Sequence, residues 1–537
     1  MTTPQPAAAR DEMPRRSSRV SRAQQQLQQQ ARQQDALLAL PDALLIELLA
    51  KLPAASLAHF AAASRGCRRS ALDAATMQIS KHDVRKRRES AFHALRFIQR
   101  LQEQMPQTIA VGGECVGQCS VGVRDGVAIS WGYCEFDCAT PRFGLGRLGD
   151  YDFEGMRQSP PTEVRTDARI IGVSSGFDHV LMLTAEGRVL RCGGGCSTWG
   201  VTIRGGVGAD ADYEIDEATR DEVCPAIPVP MDGLGGRKVV QLSAGGYFSV
   251  FLDAAGHVFE CGSTPRGVRH MRSPRRVALP QRMVCVSASK CSMSSCVLAV
   301  AEDGTLYGWG SDGTGILAID FDGQRIYAPF AIDFMPARLA EVSTGACHAV
   351  GVSLDGTAYE WGMPPQDYGT QNAEPIAPRP VPGLEHERVV HCAADLHHSA
   401  VITSTGLMYT WGMNDCGQLG HGTDLSDVDR NYYEVDPPEN VRVKTARRVA
   451  NLAGRVSSVA IGECVSAAQV IDGATGEATI VVFGDNQFGQ CGLGQEEMAL
   501  YDPEDRDDFR LTVPTNLPHP REAMEQDGVA PEAVWRF

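Results

Sequence analysis

The sequence lacks the features that would identify a membrane protein or an enzyme of a common class. Its 537 residues hold no run of 18 apolar residues, and the N-terminal stretch is polar, so we expect neither a membrane span nor a secretory signal. A phosphate-binding loop, a Gly-x-Ser-x-Gly motif and a His-Glu-x-x-His motif are all missing. We therefore expect a non-catalytic protein without a cofactor or a metal, located in the cytoplasm, the nucleus or both.

Positive charge is scarce in most of the chain. The net charge is −16, but residues 1–104 carry 17 Lys and Arg against 9 Asp and Glu, which leaves 33 basic and 57 acidic residues for the remainder. A nucleic-acid-binding surface neutralises phosphates with Lys and Arg. The acidic remainder therefore argues against a nucleic-acid partner.

Cysteine is abundant, with 17 residues, but its spacing does not indicate zinc. Most of these residues stand at apolar positions, which is typical of buried, reduced thiols. Zinc sites use two-residue gaps and a matching second pair. The short-range pairs here are four residues apart: Cys115/Cys119, Cys134/Cys138 and Cys192/Cys196.

A unit recurs seven times between about residues 107 and 514. Each copy has an apolar segment, a turn glycine, a second apolar segment, and an aromatic-Gly or Cys-Gly pair. Strands joined through a glycine at positive φ form hairpins. In the seventh copy the two glycines, Gly476 and Gly484, are two residues further apart, which predicts a longer turn. The turn glycines are Gly126, Gly187, Gly256, Gly304, Gly356, Gly406 and Gly476.

Spacing of about fifty residues between copies is in the range of β-propeller blades. Seven copies predict seven four-stranded blades closed into a ring. The seventh copy shows no clear fourth strand of its own. We therefore expect a terminal strand of the propeller, from residues 108–111 or 533–537, to complete that blade.

These repeats resemble those of the regulator-of-chromosome-condensation family. The family's unit carries a Gly-x-x-His-Ser-like strand, an Asp-Gly-like turn, a Trp-Gly pair and a Gly-Gln-Leu-Gly loop. Here residues 343–348 read Ser-Thr-Gly-Ala-Cys-His, followed by Asp355-Gly356 and Trp361-Gly362, and the loop is intact at 417–420. The resemblance implies a propeller, and it implies exchange of guanine nucleotide on a small GTPase as one possible function.

Three histidines stand at one repeat position, eight residues before the turn glycine: His179, His348 and His398. Phe248 and Cys296 occupy the position in other copies, which a metal site would not explain. We expect these imidazoles to bond backbone groups of the blade scaffold. Trp131, Trp309, Trp361 and Trp411 also stand at a scaffold position, which argues against a tryptophan-based light sensor.

Residues 36–80 have a different character. Leu40, Leu44 and Leu48 recur every four residues, which predicts an amphipathic helix. Pro41 fits the first turn of that helix, and Pro53 marks the break after it.

A second short helix should follow, because Ser56 is placed to cap its start. We expect this helix to end near Gly66. The alternative is a generic helical hairpin.

This segment resembles an F-box. The family's pattern is Leu-Pro, an apolar helix, a second Leu-Pro, a Leu, and a Ser-Arg followed by an Arg pair; Cys67 replaces the family's usual Trp. The resemblance implies a Skp-type adaptor, and through it a cullin, as partners. The residues expected to bind the adaptor are Leu40, Pro41, Leu44, Ile46, Leu48, Leu52, Pro53 and Leu57.

We therefore predict an all-β, seven-bladed propeller preceded by a small all-α, F-box-like domain. The expected parts are a disordered tail (1–35), the F-box-like domain (36–80), a basic linker helix (81–104) and the propeller (105–537). The expected function is substrate recognition in a cullin-based ubiquitin ligase, with an unidentified protein substrate on the propeller. The alternatives are a guanine-nucleotide exchange factor and a non-catalytic scaffold.

Overall fold

A computed structural model of the chain divides it into two compact units, Met1–Gln99 and Arg100–Phe537. The described residues are 49–53, 56–57, 61, 65–79, 90–104, 106–112, 119–132, 159–176, 179–193, 228–266, 271–290, 295–311, 314–317, 325–365, 374–423, 441–486, 491–492 and 510–518.

Helix α1 (Arg65–Ile79) is the longest helix described in the first unit. It buries Ala71, Ala74 and Ala75 on one face, and alanine has the highest helix propensity of any residue. The end of the helix predicted to start at Ser56 lies outside the described residues, and α1 begins at Arg65 and continues through Gly66. A glycine in a first turn lies outside the helix interior, where its cost is largest.

Helix α2 (Ala91–Glu103) runs across the boundary between the two units. Its start is capped by Ser90, whose hydroxyl accepts a hydrogen bond from the His93 N–H at 3.1 Å. None of the helices among the described residues combines the length and hydropathy needed to cross a membrane.

The second unit contains seven four-stranded antiparallel sheets, each made of four consecutive strands. The first three blades comprise β1 (Ile109–Val111), β2 (Cys119–Arg124), β3 (Val127–Gly132), β4 (Ser159–Glu163); β5 (Ile170–Ser175), β6 (His179–Thr184), β7 (Val189–Gly193), β8 (Val229–Pro230); and β9 (Val239–Ala244), β10 (Phe248–Asp253), β11 (Val258–Gly262), β12 (Met271–Arg276).

The other four blades follow the same order. They comprise β13 (Met283–Ala288), β14 (Cys296–Ala301), β15 (Leu306–Ser311), β16 (Arg325–Ile332); β17 (Leu339–Thr344), β18 (His348–Ser353), β19 (Ala358–Gly362), β20 (Ile376–Pro380); β21 (Val389–Ala394), β22 (His398–Thr403), β23 (Met408–Met413), β24 (Arg442–Arg448); and β25 (Arg455–Ile461), β26 (Val465–Ile471), β27 (Ala478–Asp485), β28 (Arg510–Asn516). The prediction of an all-β, seven-bladed propeller is confirmed.

The predicted hairpins are the second and third strands of each blade. All seven turn glycines have positive φ, between +74° and +92°, which is the region that favours glycine. In the seventh blade six residues separate β26 from β27, against four between β22 and β23, as the wider glycine spacing predicts. We call the side of the ring with these turns the turn face, and the opposite side, which carries the loops between first and second strands, the loop face.

Six of the seven outermost strands contain proline, and the exception is β24 (Arg442–Arg448). Proline cannot donate a main-chain hydrogen bond, so it is confined to sheet edges and discourages edge-to-edge pairing. In β28 that residue is Pro514. Strand β24 instead contains four basic residues among its seven, in the sequence RVKTARR.

The ring does not close as the sequence suggested. The expectation that a terminal strand completes the seventh blade is wrong, because β28 is that blade's own fourth strand, with Pro514 tolerated at its outer edge. Residues 109–111 instead form β1, the first strand of the first blade, paired with β2. The seam between the first and seventh blades is therefore made by side chains.

Apolar packing and one amide form the inner part of this seam. Ile109 and Val111 pack in one cluster with Ala460, Val465 and Ile480 of the seventh blade.

The amide of Gln469 donates to the Val123 carbonyl at 2.9 Å, and its Oε1 accepts the Thr108 hydroxyl at 2.8 Å. One amide side chain of the seventh blade thus bonds two groups of the first blade across the seam.

A ladder of serines joins most of the innermost strands. The hydroxyl of a serine near the end of one inner strand accepts an N–H from the inner strand of the next blade, each time at 2.9 Å. The four serines are Ser174, Ser243, Ser287 and Ser343. The equivalent residues in the sixth, seventh and first blades are Ala393, Ala460 and Ala110, so the ladder stops there.

Lys290 bridges the three blades that lack the serine. Its ammonium donates to the Val111 carbonyl at 3.0 Å, the Ile461 carbonyl at 3.2 Å and the Asp395 carboxylate at 3.1 Å. These acceptors belong to the first, seventh and sixth blades. Lys290 itself follows β13 of the fourth blade, so its side chain spans the loop-face mouth of the central channel.

Replacing either of two turn glycines with valine is expected to destabilise the propeller. Gly356→Val and Gly406→Val place a β-branched residue at φ +92° and +83°, which should cost about 1–3 kcal/mol each. The neighbouring Arg388 and Arg455 side chains also lie where the new Cβ would stand. Denaturant unfolding measures the change. Gly473→Ala, in an open turn, is the control, and parent-like stability of both valine variants would contradict the hairpin geometry.

Removing the Lys290 ammonium is expected to loosen the seam. Lys290→Met leaves the Asp395 carboxylate buried without its cation, which should lower the free energy of unfolding by about 3–5 kcal/mol. Lys290→Met with Asp395→Asn should cost less. Hydrogen exchange should accelerate in β1 and β25 before it does in β9. Uniform acceleration across all blades would show that the lysine is not specific to the seam.

Candidate protein-binding sites

The helical segment expected to bind an adaptor is described in part. Leu40, Pro41, Leu44, Ile46 and Leu48 lie outside the described residues. Among the remaining candidates, Leu57 is fully buried, whereas Leu52 is 38% exposed and Pro53 is exposed as well. Leu57 is thus inaccessible to a partner in this structure, and Leu52 and Pro53 are the described candidates that a partner can reach.

Leu52 is held at a defined position by its backbone. Its N–H donates to the Leu49 carbonyl at 2.9 Å, and its own carbonyl accepts the Gln78 amide of α1 at 3.1 Å. Leu49 is 1% exposed, so the chain turns from the interior at Leu49 to the surface at Leu52. The sequence pattern alone did not separate inward-facing from outward-facing leucines in this segment.

The central channel of the propeller contains a cavity of about 180 Å³. Inner strands of several blades line it, and Lys290 lies at its loop-face end. Leu101, Gln104, Pro106 and Gln107 line it at the turn face. The mouths of the channel are therefore occupied by the protein's own side chains.

Residues 100–108 fasten the chain across the turn-face mouth. Arg100 is buried and donates to the Ala301 carbonyl at 3.2 Å, to the Leu339 carbonyl at 3.0 Å and to the Glu302 carbonyl. The Gln107 carbonyl accepts the Val173 N–H of the second blade at 2.8 Å. This segment thus connects the fourth and fifth blades to the second.

One buried ion pair lies beside the cavity. The Nδ1 atom of His391 is 2.6 Å from the Glu341 carboxylate, and both residues line the cavity. Burial opposes the charged imidazolium, but the charge and hydrogen bond of Glu341 outweigh it and raise the pKa of His391. The pair joins the inner strands of the fifth and sixth blades.

The Nε2 atoms of the three repeat histidines bond side chains. In each case Nε2 contacts a serine hydroxyl of the next blade: His179 with Ser249 at 2.9 Å, His348 with Ser399 at 2.7 Å and His398 with Ser466 at 2.7 Å. The expectation of a backbone partner is wrong for Nε2, because this atom reaches across the blade interface to a serine hydroxyl.

Hydrogen-bond direction assigns the tautomer of His398. The Ser466 hydroxyl donates to the Gln418 carbonyl of the Gly-Gln-Leu-Gly loop at 2.7 Å, so it accepts a hydrogen bond from the Nε2–H of His398. Burial lowers the pKa of both His348 and His398 to about 3. Both are therefore neutral at physiological pH.

The repeat tryptophans also join blades. All four are at most 1% exposed. The indole N–H groups of Trp309 and Trp411 donate to Glu260 at 3.3 Å and Glu360 at 2.9 Å in the preceding blade, and Trp361 donates to the Ile316 carbonyl. Glu260 and Glu360 were not singled out from the sequence, although both stand two residues before the second repeat glycine.

The cysteines and histidines do not form a metal centre in the part of the chain that the structure describes. No group of three or more His, Cys, Asp or Glu with suitable geometry occurs there. Burial raises the pKa of the Cys192 thiol, and the pKa values of Cys261 and Cys285 are raised to about 12 for the same reason. These thiols therefore stay protonated and act as small apolar groups.

Comparison with known proteins identifies the repeat. Residues 405–469 match the family described as "Regulator of chromosome condensation (RCC1) repeat". The structure of yeast RCC1 (Prp20) bound to Kap60 aligns with a TM-score of 0.56 at 18% identity, covering 79% of this chain and 87% of that one. The second unit is therefore a seven-bladed propeller in which residues 405–469 match the RCC1 repeat.

Relatives with this repeat carry different names. The ultraviolet-B receptor UVR8 of Arabidopsis thaliana is 23% identical over 425 residues, covering 77% of this chain and 83% of that protein. The human E3 ubiquitin-protein ligase HERC2 is 30% identical over 294 residues, which are 52% of this chain and 6% of the ligase. The human RCC1-like G exchanging factor-like protein is 27% identical over 51% of this chain and 59% of its own length.

Stability should decrease as the pH falls below the ordinary pKa of histidine. Unfolded His398 takes up a proton near pH 6.5, whereas the folded residue does so only near pH 3, so the unfolded state binds more protons between these values. His398→Gln removes this titration, so its slope of stability against pH should be shallower by up to about 1.4 kcal/mol per unit. Loss of the His398–Ser466 contact should also make it less stable than the parent at pH 7. Urea unfolding between pH 5 and 6.5, within the window those pKa values set, measures the slope. Parallel curves for parent and variant would contradict the prediction.

Proposed function

We propose that this protein is a non-catalytic, substrate-recruiting subunit of a cullin-based ubiquitin ligase. In this proposal the helical segment binds a Skp-type adaptor and the propeller binds the protein to be modified. The observation that carries the proposal is the Leu-Pro…Leu-Pro pattern of the helical segment, whose second pair, Leu52-Pro53, is exposed beside the buried Leu49 and Leu57.

Exposed apolar residues on so small a helical unit favour the proposal that it binds a partner. Leu52 is 38% exposed, and Leu72 and Met77 of α1 are each 42% exposed. Small units have little core of their own, and large apolar side chains open to water commonly mark an interface. A few such side chains carry most of the binding energy at an interface of this kind.

The substrate is expected to bind the outer surfaces of the propeller blades and not the central channel. The channel is occupied at both mouths by Lys290 and by the segment that contains Arg100, so binding is expected on the outer surfaces of the blades. Relatives named as ubiquitin ligases share the propeller region, which is consistent with a substrate-holding role here.

Truncation of the exposed Leu-Pro pair is the direct test. Leu52→Ala with Pro53→Ala should reduce capture of a purified Skp-type adaptor by about tenfold or more, because an apolar anchor is lost. The measurement is surface plasmon resonance with the full-length chain immobilised, alongside circular dichroism to check folding.

The matched control is Leu354→Ala in the propeller, where the leucine is 43% exposed but lies outside the helical segment. It should leave adaptor binding unchanged. If the parent protein captures no adaptor, the ligase proposal fails and the scaffold interpretation is preferred.

A second candidate is guanine-nucleotide exchange on a small GTPase. A relative with this name, similar over about half of this chain, is the observation that favours it. Faster release of fluorescent GDP from a small GTPase on addition of the purified protein would support exchange activity, and no acceleration across representative GTPases would exclude it.

A further inference from the structure

The cavity in the central channel changes polarity along its length. At the turn face its lining includes the apolar side chains of Leu101 and Ile171. Further in, the third residues of three inner strands are polar: Gln241 of β9, Glu341 of β17 and His391 of β21. The four serines of the ladder follow two residues later along their strands, nearer the loop face. The cavity therefore has an apolar mouth and a polar interior.

The ladder serines keep a hydrogen-bond donor for the cavity. Each hydroxyl oxygen accepts an N–H, and among the described residues none of the four hydroxyl protons has an acceptor. All four serines line the cavity. Ser243, Ser287 and Ser343 are partly exposed although they lie on innermost strands, because the cavity reaches them. An occupant with hydrogen-bond acceptors would satisfy these donors.

Glu341 offers the opposite kind of group. It is 8% exposed, and one of its carboxylate oxygens lies 2.6 Å from His391 Nδ1 and accepts the Cys392 N–H at 3.5 Å. The second oxygen has no partner in the described part of the chain, and the residue lines the cavity. Buried polar atoms are hydrogen-bonded as a rule. A donor on the occupant would satisfy this oxygen, and a cationic donor would bind it most strongly.

The charges around the cavity favour an occupant without net charge. The charged residues that line it in the described ranges are Lys290, Glu341 and His391. The Lys290 ammonium already donates to two carbonyls and to the Asp395 carboxylate, and His391 is paired with Glu341. Each cation thus has its own carboxylate. An occupant with a net charge would be buried without a counter-ion, which is costly, whereas a zwitterion would not.

The order of polar and apolar groups matches an α-amino acid. Glu341 and Ser343 are two residues apart on β17, so they face the same side of the strand about 7 Å apart. An α-amino acid carries its ammonium and its carboxylate on one carbon, so one small molecule can reach both residues. A protein cavity of about 150 Å³ admits benzene. The volume of about 180 Å³ here therefore suits a small aliphatic side chain.

We propose that the central channel binds a free α-amino acid with a small aliphatic side chain. Its ammonium donates to the open oxygen of Glu341, its carboxylate accepts hydrogen bonds from the ladder serines, and its side chain packs against Leu101 and Ile171. Ile171 is 39% exposed and lines the cavity, so it marks the entrance at the turn face. This site is independent of the helical segment and of the outer blade surfaces.

Three ligands of the same shape test the two polar contacts. L-Valine is the probe, and saturation-transfer NMR with the full-length protein gives its Kd, which should be about 1 mM or lower. Isovalerate lacks the ammonium and isobutylamine lacks the carboxylate, so each should bind at least about tenfold more weakly. No saturation transfer to L-valine, or equal binding of L-valine and isovalerate, would overturn the proposal.

Variants of the two polar layers should change different ligands. Glu341→Gln should weaken L-valine about tenfold without weakening isovalerate, because only the ammonium loses its partner. Ser243→Ala with Ser287→Ala should weaken both carboxylates, and alanine already stands at this position in three blades. Circular dichroism checks folding. Equal loss of L-valine and isovalerate in Glu341→Gln would contradict the ammonium contact.

Blocking the entrance is a test that leaves the polar groups intact. Ile171→Trp should fill the mouth and weaken L-valine about tenfold or more. The matched control is Val127→Trp, because Val127 is also an aliphatic β-branched residue, is 40% exposed, and lies in a turn outside the cavity. It should change Kd by less than about twofold. Equal loss in both variants, or unchanged binding in Ile171→Trp, would overturn the proposed site.

Discussion

Closure of the ring without a shared strand is the constraint on which the propeller depends. Strands pair only within a blade, and a main-chain bond from each first strand reaches the turn-glycine carbonyl of the preceding blade, as Leu339 does to Gly304 at 2.9 Å. No such bond is seen between the described residues of the seventh and first blades, so side chains make that interface. Serines join the inner strands from the second blade to the sixth, imidazoles and indoles add bonds further out, and Lys290 bridges the three blades where the serines are missing. The seam between the first and seventh blades is stabilised by the Gln469 amide and an apolar cluster.

These side-chain bonds account for several repeat residues that are conspicuous in the sequence. His398 bonds a serine that in turn bonds the Gly-Gln-Leu-Gly loop, so two motifs serve one interface. Trp411 donates to Glu360 of the preceding blade. Residues that are candidates for a metal site or a light sensor on sequence grounds are therefore the groups that hold neighbouring blades together.

The hairpins could be predicted from sequence, whereas the contacts between blades could not. A glycine at positive φ between two apolar segments is a local signal, which identified all seven hairpins. The acceptors of Lys290 lie 105 to 179 residues away, and no local pattern indicates such partners. The fourth strand of the seventh blade was missed because Pro514 reads as a strand terminator, although proline is usual at this propeller's outer edges. In the helical segment, periodicity located the leucines but not the difference in exposure between Leu52 and Leu57.

Because every blade is a contiguous stretch of chain, synthesis and folding can proceed in the same direction. Each sheet is complete as soon as its fourth strand has left the ribosome, and no early strand must wait, unpaired, for a partner made last. Each strand therefore remains without its pairing strand only briefly during synthesis. Only the side of the first blade that faces the seventh stays uncovered until synthesis ends. The inner strand on that blade, β1, has three residues and is the shortest of the fully described inner strands.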